Sequence, residues 1–137
     1  MNELFAAIFE GWGWFRLGDF SNDLYNNLLY TPIGIIMVAT SITWMVIYYY
    51  VIDHPRFSRP WHWLIWILIL CAINFAASNY ITSWKLTELY TSLEKDVPYY
   101  SEFTTFSIVV AVWTYVFAFM ISLLIKRKSV MCKRTPF

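Results

Sequence analysis

The chain has 137 residues, 59% of them hydrophobic and only 14% charged. Soluble domains carry roughly 25% charged residues, so the balance excludes an ordinary water-soluble domain, a disordered segment and a nucleic-acid-binding chain alike. Ten Lys and Arg against nine Asp and Glu leave a net charge of +1, a small sum that hides an uneven distribution.

Residues 1–30 read as an amphipathic N-terminal segment. Leu4, Phe5, Ile8, Phe9 and Trp12 recur at helical spacing, with Glu3 and Glu10 between them. The segment is too short and too charged to span a bilayer. It suits an interfacial helix with Phe5, Phe9, Trp12 and Trp14 dipped into the membrane surface, or equally a helix packed against another protein helix. It lacks the basic start of a cleavable signal peptide, so the first span is expected to act as the insertion signal. Ser21 and Asp23 look like a second helix start, a cap oxygen followed by a first-turn carboxylate. Leu24, Leu28 and Leu29 carry its apolar face up to Tyr30.

Residues 31–128 are expected to form a three-helix transmembrane domain. The first span covers about 31–52, with Pro32 tolerated in its first turn. Thr40, Ser41 and Thr43 lie in its middle and can bond to their own helix carbonyls. Tyr48, Tyr49 and Tyr50 are expected to form an aromatic collar at its end, since Tyr and Trp concentrate where lipid meets water. Residues 53–60 are a short connection broken by Pro55 and Pro60. The second span covers about 61–84. Trp61, Trp63 and Trp66 anchor its start, and Tyr80 and Trp84 anchor its end. Leu86, Leu89, Tyr90 and Leu93 keep helical spacing with charges between them, so the helix is expected to continue outside the membrane to about Lys95. The third span covers about 103–125, opened by Ser101 and Glu102 and stopped by Lys126, Arg127 and Lys128. Residues 129–137 form a basic tail. The predicted class is an all-α membrane protein with three transmembrane helices, an interfacial N-terminal helix and an extramembrane extension of the second helix.

Threading follows from Lys and Arg near the span ends. Arg56 and Arg59 in the first connection share a side with Lys126, Arg127, Lys128, Lys133 and Arg134. That side holds seven of the ten basic residues. The expected orientation is N-terminus outside and C-terminus cytoplasmic, in a bacterial inner membrane.

Groups that could carry chemistry are few. His54 and His62 are separated by two prolines and match no zinc spacing, so no metal or cofactor is expected. Cys71 is expected to pack as a small apolar residue and Cys132 as an exposed thiol. The expected topology puts them at different levels of the membrane, so no disulfide is expected between them. Asn74, Ser78 and Asn79 are the most polar group within a span. An amide facing lipid is costly, so this sector should face protein, with Ala72, Ala76 and Ala77 letting a partner backbone approach. The third span offers the hydroxyls of Thr104, Thr105, Ser107, Thr114 and Ser122. Trp113, near its middle, is expected to pack against another helix. No Asp, Glu, Lys or Arg lies within a span, whereas proton relays and ion-coupled transporters usually need one. There is no nucleophile–base pair and no phosphate-binding loop, so an enzyme is not expected.

The expected role is that of an anchoring or assembly subunit of a larger membrane complex, such as envelope secretion or injection machinery. Its expected partners are the lipid bilayer and other membrane subunits or further copies of itself. Three spans, an outer N-terminus and a basic inner tail also resemble the layout of three-span phage holins, a resemblance of topology over residues 31–137. It implies a homo-oligomeric pore former as the alternative. An accessory subunit of a small transporter is a further one.

Overall fold

The structure, a computed structural model, describes residues 1–11, 18–51, 60–96 and 100–126. Among the described residues five α-helices follow one another: α1 (Asn2–Glu10), α2 (Asp19–Asn26), α3 (Tyr30–Val46), α4 (Pro60–Ser92) and α5 (Tyr100–Lys126). A π-helical turn, Ile47–Val51, continues α3. No strand occurs among the described residues.

Among the described residues three stretches are long and apolar enough to cross a membrane: Tyr30–Val51, Trp61–Ser92 and Tyr100–Ile125. At about 1.5 Å per residue, even the shortest reaches the ~30 Å of a hydrocarbon core. By length and composition the chain is a multi-pass membrane protein. The 33 residues of α4 measure about 50 Å, well beyond that thickness.

Helix ends are set by local chemistry. Pro60 opens α4 at a position where its missing N–H is not needed. The start of α2 lies two residues before the expected Ser21. Gly18, at φ +57°, makes the turn into the helix and puts Asp19 in its first turn, so Ser21 is an internal, buried residue. Two helices end in the same motif. After α2, Leu28 N–H donates to Tyr25 O and Leu29 N–H to Leu24 O. After α4, Glu94 N–H donates to Thr91 O and Lys95 N–H to Tyr90 O. This is the Schellman pattern, which turns one residue left-handed and is usually built on glycine. Here Leu28 (φ +55°) and Glu94 (φ +52°) take that position.

The three long helices run antiparallel in sequence, α4 and α5 in the broadest contact. The bundle has a core at each end. At one end Phe5, Phe9, Phe20, Leu24, Tyr30, Met37, Leu86, Phe103 and Phe106 pack together. At the other, Met45, Tyr48, Tyr49, Trp63, Ile67, Leu70 and Ala118 do so. The first core is where α1 and α2 meet the bundle. The Phe106 ring stands edge-on to Phe9 at 5.6 Å and to Tyr30 at 5.9 Å. Phe20 packs against Phe103 at 5.8 Å. Phe5 lies on the backbone of α3 at Gly34, where a Cβ would overlap its ring. The face of α1 that carries Phe5 and Phe9 is therefore turned onto the chain's own helices. Leu4, on its other side, is exposed. Trp12 and Trp14 lie outside the described residues.

Polar bonds complete this end. Asn2 donates from Nδ2 to Tyr25 O at 3.0 Å and accepts from Thr31 at 3.3 Å. Tyr30 donates its hydroxyl to Glu10. Tyr90, on α4, donates to Asp23 of α2 at 2.7 Å.

Candidate functional site: the buried polar and aromatic seam

Along and between the two cores the inward faces of α3, α4 and α5 also carry small polar residues. On α4 the buried line runs Asn74, Ser78, Thr82, residues one turn apart. On α3 it includes Ser41, and on α5 Ser107, Thr114 and Ser122. These groups are neutral donors and acceptors. Most of the hydroxyls bond within their own helix, and a few groups bond from one helix to another.

Asn74 is 2% exposed, and Thr40 Oγ1 lies 3.0 Å from its Oδ1. Thr40 also donates to Ile36 O at 2.7 Å, so a hydroxyl that needs no partner nonetheless helps join α3 to α4. About one turn further along α3 and two turns back along α4, Trp44 and Trp66 stack at 4.6 Å and 24°. Each ring donates to the other residue's carbonyl: Trp44 Nε1 to Trp66 O at 3.0 Å, and Trp66 Nε1 to Trp44 O at 3.2 Å. Trp66 was expected as an anchor from its place in the sequence. Trp44 carries no pattern of its own that singles it out; only its distance from the span end, as a Trp set deep in an apolar run, marks it.

At the far end Ser122 is the hub. Its hydroxyl lies 2.5 Å from Tyr49 OH and accepts from Trp63 Nε1 at 3.2 Å. This joins α5 to both the π turn and α4. The π turn makes the geometry: neighbouring residues in an α-helix point about 100° apart, and the wider i→i+5 turn brings them closer in direction. Tyr48 and Tyr49 are accordingly both buried, their rings 5.2 Å apart.

The expected site residues are thus divided. Of the aromatic anchors, Tyr50, Trp61, Tyr80 and Trp84 lie on the outside of the chain, whereas Tyr48, Tyr49 and Trp63 point into the bundle. Tyr80 and Trp84 form an edge-to-face pair at 5.3 Å. Of the helix–helix candidates, Asn74 and Ser78 face the chain's own helices. Asn79 is half-buried, and Ala72 and Ala76 are exposed. Trp113 is half-buried against the first core, 6.2 Å from Phe117. Cys71 is half-buried beside the second core, and His62 is half-buried in the first turn of α4. Lys126 closes α5. His54, Arg56, Arg59, Arg127, Lys128, Cys132, Lys133 and Arg134 lie outside the described residues.

Comparison of the chain with protein-family models, with curated proteins and with solved structures finds no match.

Proposed function

We propose that the chain is a non-catalytic subunit that anchors or assembles a larger membrane complex. The observation that carries this reading is the outward face of α4. Only 22% of that helix's most apolar window is buried within the chain, less than the 33% and 28% of the other two spans. On this exposed face Ala72 and Ala76 sit one turn apart, flanked by exposed Ile69, Ile73 and Tyr80. Lipid solvates large aliphatic side chains well, but a step of small residues favours close approach of another backbone. The second face that could join helices, Asn74 and Ser78, is already used inside the chain.

In this reading the N-terminus lies outside and the C-terminus in the cytoplasm of a bacterial inner membrane, because the basic residues concentrate beyond α3 and α5. The α1/α2 cap lies at the outer interface with Leu4 toward lipid, and the last turns of α4 stand clear of the membrane. Envelope secretion or injection machinery is one setting of this kind. The pore-forming alternative has less behind it: the amide and hydroxyls a water path would need turn inward, and both cores are filled by large side chains.

The test is cross-linking in native membranes. Single cysteines at Ala72→Cys and Ala76→Cys, in a chain whose own Cys71 and Cys132 are serine, should give adducts to a second protein identified by mass spectrometry. Cysteine on the opposite, inward face should not. A chain that is alone and monodisperse, with no adduct from either position, would sink the subunit reading. A reporter fused after Phe137 should be active in the cytoplasm, and activity outside would reverse the threading.

A further inference from the structure

A buried hydroxyl in a helix usually satisfies itself by donating to a carbonyl one turn back. Most of the seam obeys. Ser41 donates to Met37 O at 2.6 Å, Ser107 to Phe103 O at 2.8 Å, Thr114 to Val110 O at 2.8 Å and Ser78 to Phe75 O at 3.0 Å. Two groups do not. Asn74 Nδ2 and Thr82 Oγ1 are buried and have no hydrogen-bond partner among the described residues. Their side chains belong to residues only 2% and 0% exposed.

Reorienting the amide does not remove the first case. Thr40 has one hydroxyl proton, and Ile36 O at 2.7 Å is its nearer acceptor. With the Asn74 amide turned over, its N–H would donate to Thr40 Oγ1 and its oxygen would be the unpaired atom. One arm of the amide lacks a partner either way. Leaving such groups unpaired in an apolar interior costs more than a typical hydrogen bond returns.

The two groups are not scattered. They stand two turns apart on one face of α4, with Ser78 between them. Both are shielded from lipid and from any partner helix, so a macromolecule does not reach them. A guest must be small, neutral, and both donor and acceptor. We propose that the inward face of α4 from Asn74 to Thr82 binds internal water, held by the Asn74 amide at one end and the Thr82 hydroxyl at the other. Water in protein interiors takes this place, bridging groups that the chain leaves unsatisfied. The remaining partners are at hand. Ser41 and Ser78 spend their protons on their own helices but keep acceptor lone pairs. The hydrated seam is distinct from the outward Ala72–Ala76 face and stands or falls separately from it.

Two measurements on the full chain in lipid nanodiscs test this. In radiolytic hydroxyl labelling with 18O-water, side chains beside bound water are modified even where bulk solvent does not reach. Met37 is fully buried and lies on α3 one turn before Ser41 and Thr40, whose hydroxyls bond its carbonyl; its side chain should take up 18O, and should lose that label in an Asn74→Leu/Thr82→Val double variant. In unfolding by denaturing detergent, Thr82→Val removes a satisfied hydroxyl without changing its shape. The folded-to-unfolded ratio should fall about two- to tenfold. A rise in that ratio, as for an orphan hydroxyl, overturns the proposal, and so does an unlabelled Met37 in the wild-type chain. If the variants do not fold, the wild-type labelling alone decides.

Discussion

Leu28 and Glu94 occupy backbone positions that favour glycine. A left-handed residue with a Cβ costs roughly 1–2 kcal/mol, and at Leu28 the side chain returns little, being 61% exposed. The cost is met by its neighbours: Leu29 and Leu24, the C″ and C3 residues of the motif, are both buried in the first core. Leu28→Gly should therefore raise stability, by about 1 kcal/mol, read as a higher denaturing-detergent midpoint. No helix-ending glycine follows α2 or α4, which is why the sequence signals for these ends were weak. The Trp44–Trp66 pair is the opposite case, two side chains whose value depends on each other. Trp44→Phe or Trp66→Phe should each cost about 0.5–1.5 kcal/mol for the lost donor. A double-mutant cycle should show coupling, because each indole's bond is aligned by the other's stacking. Additive losses would mean that the two bonds form independently.

At the scale of elements, α1 is the one whose placement the sequence left open. Its spacing of Phe5 and Phe9 specifies an apolar face but not what that face covers. The deciding feature is Gly34, which lies within the first apolar span. Its missing side chain opens the surface of α3 to the Phe5 ring. Gly34→Val should displace Phe5 and release α1, seen as faster hydrogen exchange over residues 2–10 with the three long helices unchanged. Loss of exchange protection throughout would mean instead that α3 itself had failed. The cap is also tied by α2: Tyr90→Phe removes the bond to Asp23 and should cost about 1 kcal/mol, with the faster exchange confined to residues 19–26. The long helices, by contrast, were legible within a few residues, because 20 or more apolar residues in a row permit little else. The expected collar of three tyrosines was read from position alone. The π turn rotates Tyr48 and Tyr49 inward and leaves only Tyr50 exposed, and no pattern in IYYYV announces that turn.

At the scale of the whole molecule, the bundle is thin and two-ended. Each end has its own aromatic core, and the polar seam between them lies where the spans are deepest in apolar sequence. Only 22% to 33% of each span's most apolar window is buried within the chain, so what surrounds the bundle matters as much as what fills it. The sequence by itself determined the solvent, the number of spans and their limits, since these follow from composition and from runs of apolar residues, which are local properties. It also indicated that Asn74 and Ser78 would face protein, because an amide in lipid is costly wherever it sits. Only the tertiary structure decided which protein they face, that Phe5 rests on Gly34, that two tryptophans bond each other's backbones, and that Ser122 gathers Tyr49 and Trp63. Those are pairings between residues 22 to 73 positions apart, set by helix rotation and register. A single sequence constrains these weakly, because rotating a nearly uniformly apolar helix changes little in what its own residues prefer.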